Sequence, residues 1–186
     1  DSKYAFLVDQ QSQNPNPFLY DIQKGRVITK YSSVKNYGIG IEENLFIVGD
    51  QELKYGVLSL DREPRIVVDF DYDFLGIANF VNEDENKIMK DLFVGYKNNS
   101  WYLLDANGAV LTDAVDKQIV SYNGKHIITK DDQGYYLVNY QNKNQLEEER
   151  YVSLSFVGKY INVIDNYNDF YVYDITSKEN LIEPIH

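Results

Sequence analysis

Trp101-Tyr-Leu-Leu-Asp105, followed by Ala106-Asn-Gly108 and Ala109-Val-Leu111, decides how this chain is built. The first four residues are all apolar or aromatic. In an extended strand successive side chains point to opposite faces, so Trp101 and Leu103 lie on one side and Tyr102 and Leu104 on the other. A sheet with one wet face alternates apolar with polar residues. This run does not alternate, so both of its faces must be covered. Asp105 suits entry into a turn, because its carboxylate can accept hydrogen bonds from nearby backbone N–H groups. Asn107-Gly108 supplies the positive φ of a tight hairpin, and Ala109-Val-Leu111 begins another short strand.

The same unit recurs along the chain. Its second runs are Phe18 to Asp21, Tyr55 to Asp61, Trp101 to Asp105, Tyr135 to Asn139 and Phe170 to Asp174. An apolar first run precedes each: Tyr4 to Asp9, Leu45 to Gly49, Leu92 to Tyr96, His126 to Thr129 and Tyr160 to Asp165. Third runs follow at Arg26 to Thr29, Arg65 to Val68, Ala109 to Leu111 and Leu181-Ile182, while the fourth unit offers only the polar stretch Asn144 to Glu149. A fourth run comes next at Tyr31 to Val34, Tyr72 to Ile77, Ile119 to Tyr122 and Tyr151 to Val157. The turn residues Asp21, Asp61, Asp105, Asn139 and Asp174 stand 34 to 44 residues apart, a period that marks a repeat architecture.

The expectation is a single all-β repeat domain over 1–186, with units at 3–43, 44–90, 91–123, 124–157 and 158–186. Regrouping the runs gives one three-stranded antiparallel sheet and then four sheets of four strands. Stacked sheets of this kind form a β-propeller-like arrangement of about five small blades, closed or open. A β-solenoid of hairpins would also cover both faces. The stretch Asn82 to Leu92 interrupts the second unit and reads as an acidic inserted loop with one helical turn.

Composition narrows the function classes. The 186 residues carry a net charge of −11 and only four arginines, at 26, 62, 65 and 150. Nucleic acid is a poor partner for such a chain, because phosphate binding needs clustered cations. No apolar run approaches the roughly 20 residues of a membrane helix, so no membrane insertion is expected. Cysteine is absent, which removes disulfides, thiolate metal sites and cysteine nucleophiles. Tyrosine is abundant at 17 residues, in keeping with half-buried strands. The chain begins at Asp1 and not Met, which reads as processing of a longer product, such as removal of a leader.

Asn99 to Leu111 resembles the WG-repeat (KWG) family of bacterial proteins, which repeats Trp-Gly, apolar residues, Asp, a Gly-containing turn and an apolar strand. Tyr55-Gly56 followed by Val57 to Asp61 matches the same pattern with Tyr for Trp, and Asp71-Tyr72-Asp73 resembles the family's Tyr-Asp step. The resemblance is carried by the second and third units. It implies a bacterial repeat module used for binding, with no shared catalytic residues. No cofactor is expected for this chain.

Few residues depart from the repeat. Asp69, Asp71 and Asp73 alternate along one run, which would place three carboxylates on one strand face as a candidate calcium site. Glu83, Asp84 and Glu85 lie in the insertion and are the candidate partner-binding residues, since function concentrates in loops on rigid scaffolds. Glu147 to Glu149 form a second acidic stretch. His126 and His186 are the only histidines, and with one of them at the end of the chain they give little support to a Ser-His-Asp device. Trp101 sits where other units have Tyr55, Tyr135 and Phe170, which marks it as a packing residue of the repeat. The reading that follows is a non-enzymatic module binding another protein in a bacterial envelope or secreted assembly. The alternative is a carbohydrate-binding or glycoside-cleaving β-propeller.

Overall fold

The computed structural model describes residues 3–11, 15–35, 44–78, 80–81, 88–89, 92–112, 115–139, 144–145 and 150–185. Every regular element among them is a strand. The first sheet holds β1 (Tyr4–Val8), β2 (Pro17–Asp21) and β3 (Arg26–Lys30). The second holds β4 (Ser33–Lys35), β5 (Leu45–Gly49), β6 (Tyr55–Ser59) and β7 (Arg65–Tyr72). The third is built from β8 (Phe74–Ile77), β11 (Phe93–Lys97) and β12 (Ser100–Leu104), with the short hairpin of β9 (Phe80–Val81) and β10 (Ile88–Met89) inserted after its first strand. The fourth runs β13 (Gln118–Tyr122), β14 (His126–Asp131), β15 (Gly134–Asn139) and β16 (Asn144–Gln145); the last runs β17 (Ser153–Val157), β18 (Tyr160–Ile164), β19 (Phe170–Asp174) and β20 (Glu179–Ile185).

All pairings are antiparallel, and apart from the inserted hairpin the strands of each sheet follow in chain order. The fourth run of each sequence unit therefore opens the next sheet, as the strand count requires. One run behaves differently. Ala109 to Leu111 forms no regular strand; the chain returns along β12 through isolated bridges, Leu104 with Val110 and Trp101 with Val115. The Thr112 hydroxyl accepts the Leu103 N–H at 3.1 Å, where a ladder carbonyl would otherwise sit. The helical turn expected in Asn82 to Leu92 is not what Ile88 and Met89 adopt. They are extended and pair with Val81 and Phe80, because two short apolar segments flanking a polar loop satisfy their backbone groups by pairing with each other.

The doubly apolar strands receive the two coverings that their pattern demands. In β12, Leu104 packs with Leu45, Val57 and Phe93 between the second and third sheets, while its neighbour Leu103 packs with Ile119, Tyr122 and Ile127 between the third and fourth. In β5, Ile47 faces forward into the first of these clusters, and Val48 faces back toward Tyr4 and Leu19 of the first sheet. In β14, Ile127 faces back and Ile128 faces forward, against Leu154 and Ile161 of the last sheet. Four clusters thus join five sheets in order, each sheet to the next.

Turns explain the recurrent aspartates. Asp50, Asp105 and Asp165 each accept two backbone N–H groups, from the residues two and four positions on, at 2.8 to 3.0 Å. The fourth residue of each loop is left-handed: Leu53 at φ 62°, Gly108 at 82° and Asn168 at 66°. Asp21 and Asp174 cap the next turn type, accepting N–H groups of Lys24, and of Thr176 and Ser177. The glycine of Tyr55-Gly56 has a packing reason. A Cβ there would lie 2.5 Å from the Val68 carbonyl oxygen, where β7 shifts register against β6.

Candidate functional site

The candidate calcium carboxylates do not converge. Asp69, Asp71 and Asp73 are all exposed, but Asp71 accepts a hydrogen bond from the Lys97 ammonium at 3.3 Å and Asp73 accepts one from Lys54. Among the described residues no group of three carboxylate or histidine side chains comes together around one point. Glu83, Asp84 and Glu85 lie outside the described residues, as do Glu147 to Glu149 and His186. His126 opens β14, half-buried, and its backbone N–H is held by the Asn123 side chain at 2.8 Å.

What recurs near the sheet interfaces is a cation set between a tyrosine ring and a carboxylate. Lys3 lies 5.1 Å from the Tyr4 ring and 2.5 Å from Glu63 of the second sheet's last turn, and the Tyr4 hydroxyl donates to the same carboxylate at 2.7 Å. Lys97 lies 4.6 Å from the Tyr72 ring while holding Asp71. Arg150 stacks 3.9 Å from the Tyr136 ring and donates through Nη2 and Nε to one oxygen of Asp131, at 2.9 and 3.2 Å. The ammonium or guanidinium gains from the ring's negative face and the carboxylate together. Hydrogen bonds from Lys3 and Tyr4 hold the Glu63 carboxyl below its ordinary value. For Asp131, burial pushes upward, and the Gln133 amide and Arg150 outweigh it. These are structural clamps. Sequence reading missed them because the partners are 19 to 60 residues apart.

Two surface features remain. A polar depression of about 370 Å³ is lined by Asp116, Lys117, Gln118, Lys130, Asp131 and Asp132. A row of aromatic rings crosses the third sheet at Phe74, Tyr96 and Trp101, which are aligned cross-strand partners. The Trp101 ring is 5.8 Å from Phe74 and 5.1 Å from Tyr96. Trp101 is half-buried against the cluster between the third and fourth sheets, as a packing residue of the repeat should be, while Phe74 stays 47% exposed.

The widest apolar exposure is at the two ends of the stack. Of 18 large, well-exposed apolar side chains among the described residues, 12 belong to the first or last sheet and their turns. In the first sheet the side of β1 that carries Tyr4 and Phe6 packs on the second sheet. The opposite side carries Leu7, Phe18, Tyr20 and Val27 by register. In the last sheet Leu154, Phe156, Ile161 and Val163 face the fourth sheet. Their neighbours Val157, Ile164, Phe170, Val172, Ile182 and Ile185 face the other way. No described cluster covers either side.

No family model matches the sequence, and no curated protein matches it. Among solved structures the chain is similar to apo AztD from Citrobacter koseri, with a TM-score of 0.51 at 13% identity, over 98% of this chain and 57% of that one. The computationally designed protein Ika8 gives a TM-score of 0.43 at 10% identity, over 98% of this chain and 58% of that one. The chain therefore spans less than three-fifths of either structure. Many further solved chains match, 386 in all, and a fold so widely shared speaks to construction and not to activity. The chain is an all-β protein of small antiparallel sheets.

Proposed function

We propose that this chain is a propeller-like β-repeat scaffold whose role is to bind another protein, built on units that resemble WG repeats. The observation that carries the reading is the pair of uncovered apolar faces on the first and last sheets. A face that leaves Val157, Phe170, Ile182 and Ile185 between 38% and 60% exposed is larger than the single scattered apolar residues of an ordinary surface, and such patches mark interaction sites. The propeller-like reading is supported by stacked meander sheets and by the likeness to AztD, which has a β-propeller-like fold. Asp21, Asp105 and Asp174 are taken up by turns, and Glu63, Asp71 and Asp131 by lysine and arginine clamps, which accounts for them without a catalytic role.

Affinity capture with crosslinking from the source organism tests the reading. Wild-type protein should crosslink to one partner through the first or last sheet, and Phe170→Lys or Leu7→Lys should lose it. Recovery of background proteins alone, equally by wild type and variants, would end the proposal. One observation favours a second reading: the aromatic row of Phe74, Tyr96 and Trp101 offers partly exposed rings on which a sugar could stack. A glycan array, followed by a shift in Trp101 fluorescence on titration, would separate the two. Glycan binding lost in Phe74→Ala would support the carbohydrate reading, and an array without signal would remove it.

A further inference from the structure

The cross-strand row that holds Trp101 has a counterpart, in the same register, in three other sheets. The second sheet places Ser33, Gly49 and Tyr55 there, the fourth Gln118, Lys130 and Tyr135, and the last Ser153, Ile164 and Phe170. The third sheet places Phe74, Tyr96 and Trp101. An aromatic residue closes all four rows, so packing of the repeat accounts for Trp101. It does not account for Phe74, whose counterparts are serine or glutamine, or for Tyr96, whose counterparts are glycine, lysine and isoleucine.

The cation differs as well. Where the row closes in tyrosine, a lysine lies over the ring: Lys35 is 5.5 Å from the Tyr55 centroid and Lys130 is 4.9 Å from that of Tyr135. Every cation–π pair among the described residues sets Lys or Arg over tyrosine. Tyr96 stands where the fourth sheet has Lys130, and no described lysine or arginine lies over Phe74, Tyr96 or Trp101. Yet indole is the ring that attracts a cation most strongly. The Phe74 and Tyr96 rings are tilted 60° and 47° to it, which suits a compact charge better than a flat sugar face laid across all three. The outer rings are held in place: Phe74 lies against Gly76, where a Cβ would come within 3.0 Å of the ring, and the Tyr96 hydroxyl donates to Asn99 at 3.3 Å. Groups already held lose less freedom on binding. A carboxylate follows close along the chain. Val115 exchanges backbone hydrogen bonds of 2.7 and 2.9 Å with Trp101, and the next residue, Asp116, has a side chain 81% exposed and a long ion pair of 3.8 Å with Lys117.

We infer that the aromatic row of the third sheet receives a lysine or arginine side chain from a partner protein. The incoming cation completes from outside the arrangement of ring, cation and carboxylate that the chain builds for itself around Lys3, Lys97 and Arg150. The site rests on the protein-binding role proposed above and gives its partner a chemistry, a basic segment of chain. A net charge of −11 favours encounter with such a segment.

Fluorescence of Trp101, the single tryptophan, tests it on the full chain at matched ionic strength. The probes are a blocked arginine-glycine peptide, the same peptide with neutral citrulline for arginine, tetramethylammonium chloride and a neutral hexasaccharide. The arginine peptide should change the emission saturably, with a midpoint between about 0.1 and about 10 mM, and the citrulline peptide should not. Phe74→Ala should weaken the response about threefold or more. Tyr96→Lys, which copies the Lys130 position of the fourth sheet, should abolish it by filling the row with a cation of the chain's own. Phe74→Lys, at an exposed position, should do the same even if Tyr96→Lys loses its far-UV spectrum. Ile22→Lys adds the same charge in an exposed turn of the first sheet and should bind as wild type. A wild type that answers neither the arginine peptide nor tetramethylammonium, or that answers the citrulline peptide equally, overturns the inference. So does undiminished binding in Tyr96→Lys and Phe74→Lys. A response to tetramethylammonium alone overturns the protein partner in favour of a small ammonium ligand, and a response to the hexasaccharide alone gives the row to the carbohydrate reading. A captured partner that Phe170→Lys loses and Tyr96→Lys keeps leaves the binding role standing without this site.

Discussion

Leu103 and Leu104 are consecutive residues, 0% and 1% exposed, and they belong to different clusters. In a sheet with one wet face, one of them would point to water and its truncation would cost little. Here both side chains are enclosed, Leu103 among Ile119 and Ile127, Leu104 among Phe93 and Leu45. Leu103→Ala and Leu104→Ala should therefore each cost about 2–5 kcal/mol, the range for buried leucines that leave a cavity. At about 2–4 °C per kcal/mol for a chain of this size, a loss of about 3 kcal/mol lowers Tm by roughly 6–12 °C. The assay is urea unfolding followed by fluorescence of Trp101, the single tryptophan, which lies on the same strand. Val157→Ala on the uncovered side of the last sheet is the contrast, and should stay within about 0.5 kcal/mol of wild type in the monomer. If either leucine variant also stayed within about 0.5 kcal/mol, one face of the third sheet would be wet, and the stacked arrangement would be refuted.

Gly108→Ala should destabilise by about 2 kcal/mol or more, because φ is +82° and the new methyl would lie 2.2 Å from the Val67 carbonyl oxygen; thermal melts check it. Leu53 holds the equivalent left-handed position with a side chain 67% exposed, so Leu53→Asn should raise stability by about 0.5–1 kcal/mol in the same assay. The carboxyls of Asp21, Asp174, Asp131 and Glu63 are all held below their ordinary values: Asp21 by the Lys24 amide, Asp174 by the Thr176 and Ser177 amides, Asp131 by the Gln133 amide and Arg150 against burial, and Glu63 by Lys3. Their folded forms bind protons less readily than the unfolded chain, so their contribution is complete above the ordinary carboxyl values of 3.8 to 4.5 and disappears as pH falls through the lowered folded values. Urea midpoints should hold steady from neutral pH to about 5 on account of these groups and drop below about 4; Asp174→Asn should make that drop shallower.

Several features of the fold are legible in local sequence because they depend on local physics. Alternation of side chains along a strand is fixed by backbone geometry, so the run Trp101 to Leu104 announces two covered faces before any partner is known. The capping aspartates act within four residues, and their turns form as their spacing suggests. Asn98 and Asn99, at φ 51° and 59°, form the two-residue hairpin tip between Lys97 and Ser100. The insertion after the second unit misled, because acidic composition signals exposure but not which backbone groups pair. Ile88 and Met89 take the strand conformation through a partner seven to nine residues earlier in the chain.

The third sheet holds three strands where four were expected, while the sequence alone determined the antiparallel meander of short strands, the opening sheet of three, and the need to cover both faces of strands such as Trp101 to Leu104. These follow from periodicity and from turn chemistry, which act over a few residues. Only the tertiary structure decided what each charged side chain does. Asp71 with Lys97, Glu63 with Lys3 and Asp131 with Arg150 are brought together by sheet stacking across 19 to 60 residues, and no local pattern records such pairings. The tertiary structure also shows which sides are enclosed among the described residues. Phe170 to Tyr173 carries the same doubly apolar pattern as Trp101 to Leu104, yet in the structure only one of its sides is enclosed. The difference lies in whether a neighbouring sheet stands beside it, and that is a property of the stack and not of the strand.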